Sequence, residues 1–118
     1  MEYNLTKESM ALLSLLYLQY KANRKTMSAR ESREMGDFDD LQELVNHKFL
    51  EEDTKEYCDE LYNKGLLTFI ASLDKFVCAE LTRDAIAYME NKKADQIKKA
   101  VTAVLGSVPQ IASLFALL

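Results

Sequence analysis

Residues 57–88 read YCDELYNKGLLTFIASLDKFVCAELTRDAIAY, and their order decides the fold. Tyr57 and Leu61, with Cys58, lie at helical spacing, and Gly65 stands where a helix ending in a left-handed residue places its glycine. The period then changes. LLTFIASL and KFVCAEL are rich in β-branched and aromatic residues and meet near Asp74-Lys75, which predicts a short hairpin. Phe69 and Ala71 are expected on one face, with Thr68, Ile70 and Ser72 on the other. Thr82 then supplies a hydroxyl where a new helix needs its N-cap, and Ile86, Tyr88 and Met89 give that helix its apolar side, running on into the Lys-rich NKKADQIKKA.

Upstream, Thr6 is positioned to cap a helix to about Lys25, with Glu8 in the first turn. Its middle, from Met10 to Tyr20, is apolar nearly all round, as expected of the central core helix and too short for a membrane span. KANRKTMSARESREMG (residues 21–36) is the most basic part of the chain and reads as a solvated connection with an extra helical turn. Asp37 and Asp40 mark a further helix start, and Leu41, Leu44, Val45 and Phe49 follow at helical spacing to near His47. Asp53 with Glu56 marks the next, whose inward stripe is Leu50, Tyr57 and Leu61. A long helix followed by two short ones is a helix-turn-helix pattern.

Downstream, Val101, Val104, Leu105, Val108, Ile111, Ala112, Phe115 and Leu118 recur every three or four positions, interrupted at Gly106. Ser107 with Gln110 offers a capping box for a second tail helix, with Pro109 in its first turn. Residues 100–118 reach about 28 Å as one helix, close to a bilayer core, behind Lys92, Lys93, Lys98 and Lys99. Periodic rather than uniform apolarity favours packing on the core or on a second protomer, with membrane contact as the alternative. Val101, Val104, Val108, Ile111 and Phe115 are the residues expected to carry that contact. The division is 1–92 for the main domain and 93–118 for the C-terminal helical extension.

The order helix, helix, helix, hairpin, helix resembles the winged helix-turn-helix domains of small bacterial and phage regulators. The resemblance rests on Tyr57, Leu61, Lys64-Gly65-Leu66-Leu67, Leu81-Thr82 and Tyr88, and it covers about residues 5–92. Ala85 stands where the family often has a glycine. The implied fold is mainly α with a small β-hairpin, and the implied function is a dimeric DNA-binding regulator whose third helix enters the major groove.

The charges pull the other way. Residues 51–64 hold six acidic and two basic side chains, and the net charge of the 118-residue chain is −4. Duplex binding works by neutralising phosphates with Lys and Arg, so carboxylates on the entering helix oppose it. DNA contact would therefore lean on Arg24, Lys25, Arg30 and Arg33, with Lys55 and Lys75 on the third helix and wing. The alternative is a protein partner met by Glu52, Glu56, Asp59 and Glu60. Two cysteines without CxxC spacing and one histidine are too few for a structural zinc, so no metal or cofactor is expected, and Cys58 and Cys78 read as reduced packing thiols. The N-terminus lacks the basic-then-apolar pattern of a signal peptide, which makes the cytoplasm the expected location. No Gly-rich phosphate loop or nucleophile–base spacing appears, so an enzyme is not expected.

Overall fold

A computed structural model describes residues 2–118 as a mainly helical chain built on a small three-stranded antiparallel sheet. Its first helix, α1 (Lys7–Asn23), is buried continuously from Ala11 to Leu18 because its two flanks are covered by different parts of the chain. Thr6 Oγ1 accepts from the Ser9 N–H at 3.2 Å, so the expected cap forms. A second tie secures this end. Glu60 takes the Thr6 N–H at 2.8 Å and the Thr6 hydroxyl at 3.0 Å, fixing the start of α1 to a helix 54 positions downstream.

The basic connection carries more structure than its composition implies. It folds into α2 (Ala29–Ser32), capped by Ser28, and then into a short strand, β1 (Glu34–Gly36). Gly36 has φ +90, and a Cβ there would collide with the Asp40 carboxylate, so only glycine lets the strand turn into α3 (Phe38–Leu44). Asp40 accepts from the Asp37 N–H at 2.8 Å, while Asp37 accepts from the Cys78 N–H at 2.9 Å. Helix α3 ends at Leu44, before the turn in which Asn46 and His47 take positive φ; Phe49 lies beyond it.

Helix α4 (Glu51–Asn63) starts at Glu51 rather than Asp53, which places Leu50 outside the inward stripe as its N-cap. Thr54, Cys58 and Leu61 face the core. Its end follows the sequence closely: Gly65 has φ +75, its N–H reaches the Tyr62 carbonyl at 3.0 Å, and the Leu66 N–H reaches the Leu61 carbonyl at 2.9 Å. That double bond is the Schellman closure, and the buried Leu61 and Leu66 supply its apolar contact.

The hairpin is β2 (Leu67–Ala71) and β3 (Phe76–Leu81), with β3 central in the order β1-β3-β2. Leu67 pairs with Leu81 and Thr68 with Glu80, but Ile70 pairs with Val77, so Cys78 and Ala79 together oppose Phe69. This bulge puts Cys78 at φ +56 and exposes it, correcting the expectation of two buried thiols; Cys58 alone is buried. It also turns both Phe76 and Ala79 into the core, where Phe76 stacks on Phe69 with centroids 4.4 Å apart.

Thr82 closes the hairpin end. Its hydroxyl donates to the Gly65 carbonyl at 2.8 Å and accepts from the Ala85 N–H at 3.1 Å, starting α5 (Arg83–Glu90). This helix does not continue through the lysines as expected. It stops at Glu90, and α6 (Ala94–Leu105) restarts after Lys93, whose N–H is held by the Gln96 side chain at 2.9 Å. Gly106, with φ +72, ends α6. Pro109 then sits at the first position of α7 (Pro109–Ala112), which passes into a 3-10 turn at Ser113–Leu117; the N-cap is Val108, not Ser107.

The tail covers α1. Helix α6 and the 3-10 turn pack on one side of it, with α4 and α5 against others. Val101, Val108 and Ile111 are buried within their own chain, and Val104 and Phe115 are half-buried against the same core. Of the two expected contacts for this apolar face, the core of its own chain takes Val101, Val108 and Ile111. No helix among the described residues is long and apolar enough to cross a membrane. The element order and the sheet are compatible with a winged-helix layout.

Candidate interaction face

The solvent side of α4 and the tip of the hairpin form one continuous face. Glu52, Glu56 and Asp59 are exposed, and their spacing of four and three puts them on a single stripe, with Lys55 beside them. Strand β2 runs back along α4, since Tyr62 near the end of the helix meets Phe69 at 4.8 Å, while Lys75 beyond the hairpin tip reaches the opposite end. There Lys75 Nζ lies 2.8 Å from Asp39 and 3.9 Å from Glu51, above the Phe38 ring at 5.6 Å. Its hydrogen bond to Asp39 raises the Lys75 pKa above its ordinary value of 10.5, and the charges of Asp39, Glu51 and Asp74 add to the shift.

Lys75 is thus already paired with carboxylates where it meets α4. Both Glu60 oxygens accept hydrogen bonds from Thr6. Carboxylates surround this face, and apolar side chains rise from it. Leu50 at the start of α4 is 74% exposed and Leu73 at the hairpin tip is fully exposed, with Ile70 and Tyr62 also open to solvent. Leu50 and Tyr62 stand at opposite ends of α4, so the exposed apolar side chains are spread along the face.

The remaining basic residues lie elsewhere. Arg24 and Lys25 sit in the turn after α1, with the Arg24 guanidinium donating to the Met27 carbonyl at 2.8 Å. Arg33 is drawn inward. It pairs with Glu80 at 3.6 Å and donates to the Leu81 carbonyl at 3.5 Å. Arg30 is exposed and lines a groove between α1, α2 and α5 together with Arg33 and Arg83. Arg83 was missed from sequence because its partners lie some fifty positions away, and only the fold brings the three together.

Burial and then Asp59 push the Cys58 thiol up to about 12, which makes it inert packing. Among the described residues no group of three or more His, Cys, Asp or Glu stands close enough to hold a metal ion. No protein-family model, no curated protein and no solved structure matches the chain.

Proposed function

We propose that this chain is a winged-helix binding module that docks on a protein partner through α4 and its wing. In this reading α3 and α4 are the helix-turn-helix pair, the β2–β3 hairpin is the wing, and residues 93–118 are an added cover for α1. The single observation that carries the partner class is the charge of the face: Glu52, Glu56 and Asp59 are exposed along α4, while the wing's lysine is held by Asp39 and Glu51. A polyanion approaching it would meet uncompensated carboxylates. A basic partner with apolar pockets for Leu50 and Leu73 would meet complementary charge and gain buried area.

A second reading, DNA binding in a dimeric regulator, is supported by Arg24, Lys25 and Arg30, which are exposed and have no carboxylate at ion-pair distance among the described residues. One pair of variants separates the readings. Capture of a partner from host extract should be lost in Glu52→Lys/Glu56→Lys and kept in Arg24→Ala/Lys25→Ala/Arg30→Ala. Gel shifts with a pooled duplex library should show no band for either. A shifted band lost only in the arginine variant would overturn the protein-partner reading.

A further inference from the structure

We infer that the groove between α1, α2 and α5 is a binding site for a compact mononucleotide-like anion: a phosphate at one end, a flat ring in the middle and an N–H donor at the other. The inference stands apart from the α4 face, which shares no residue with it. The groove holds about 460 Å³, within the ordinary range for small-molecule sites. Three arginines line it: Arg30 in α2, Arg33 just after it and Arg83 at the first position of α5.

The three are not equivalent. Glu80 and the Leu81 carbonyl hold Arg33 in one orientation and leave its side chain 18% exposed. Arg30 and Arg83 have no carboxylate at ion-pair distance among the described residues, so neither is paired in the groove wall. The planar guanidinium is suited to hold phosphate through two bonds.

The rest of the lining is directional. Tyr20 and Ile86 give the middle of the groove an aromatic and an aliphatic wall, and Tyr20 is itself braced by Tyr17, stacked at 6.2 Å. Glu90 is the carboxylate in the lining, seven residues and about 10 Å along α5 from Arg83. Cation at one end, acid at the other and a stacking wall between them match phosphate, ring and exocyclic amine. A compact ligand is favoured over a polymer because exposed charges beyond about 8 Å are screened at physiological salt. The acidic α4 face therefore costs a mononucleotide little, but opposes a long duplex.

The test uses the full chain and adenosine monophosphate, followed by amide chemical shifts and calorimetry. Saturable binding should move the signals of Tyr20, Ile86 and Glu90, with adenosine and inorganic phosphate each binding at least about tenfold more weakly. Arg83→Ala and Arg30→Ala should each cost about tenfold in affinity while leaving the melting temperature unchanged, since both side chains are exposed. Glu90→Gln should narrow the preference for adenosine over inosine monophosphate. Absence of saturation by about 5 mM adenosine monophosphate would overturn the inference. So would full affinity in Arg83→Ala, or a duplex that displaces the mononucleotide from the groove.

Discussion

Replacing Thr54 with valine tests the joint between α3 and α4. Thr54 is fully buried, and its hydroxyl donates to Gln42 Oε1; Gln42, 4% exposed, passes its own Nε2–H to the Phe49 carbonyl at 2.7 Å. One glutamine thus ties the end of α3, the turn and the first turn of α4. Thr54→Val keeps the side chain's shape, so no cavity forms. What is lost is the donor to a buried oxygen, a cost of about 1–3 kcal/mol. With a urea slope of about 1–3 kcal/mol/M for a domain of this size, the midpoint should fall by about 1 M at an unchanged slope. Gln42→Met adds a second consequence, because the Phe49 carbonyl then loses its donor too. The double variant Gln42→Met/Thr54→Val should be less destabilised than the sum of the singles by about 1 kcal/mol, since neither partner of the lost bond remains. Equilibrium unfolding followed by circular dichroism measures all three. A midpoint shift in Thr54→Val below about 0.2 M, or strict additivity in the cycle, would refute the reasoning.

Three further outcomes are expected. With its thiol pushed up to about 12, Cys58 holds only about one part in ten thousand as thiolate at pH 8, so an aromatic disulfide reagent should release one equivalent quickly from exposed Cys78 and the second only on unfolding; two equally fast equivalents would contradict the buried assignment. Removing residues 106–118 uncovers the sites of Val108 and Ile111, worth about 3–6 kcal/mol of apolar burial, and should yield a chain that binds a hydrophobic dye at temperatures where the full chain does not; identical melting curves would show that the tail does not cover the core. Lys75 has a raised folded pKa, so its contribution to holding the wing is complete below 10.5 and is lost as pH rises through the higher folded value. In an NMR titration Asp39→Asn should bring that midpoint down, and an unmoved midpoint would mean that Asp39 is not its cause.

The elements legible in the sequence were those with local punctuation. Thr6, Thr82 and Gly65 each act within a few residues of where they stand, through a hydroxyl reaching the next turn or a φ that other residues resist. Strand β1 was not legible because Glu34–Gly36 is three residues long and owes its state to Ala79 and Glu80, far along the chain. The break at Asn91–Lys93 has no glycine or proline to announce it; a glutamine side chain reaching back to a lysine N–H marks it instead. Charge followed the same rule. The acidity of α4 was plain from composition, but the neutralisation of Lys75, the inward pull on Arg33 and the engagement of Glu60 depend on partners that only folding brings near.

The cover over α1 has a consequence for how the chain is made. Residues 7–23 leave the ribosome before α6 and the last turn, which shield them and come at residues 94–117. At about 5–20 residues per second, the most apolar segment waits roughly 5–20 s for its lid. Such distant pairings also slow folding, since the loop must close before the contact rewards it. The nascent chain therefore presents an uncovered leucine-rich helix until that lid has been made. In a cell-free translation, a holdase should crosslink to Leu12–Leu18 until residue 117 has emerged, and then let go.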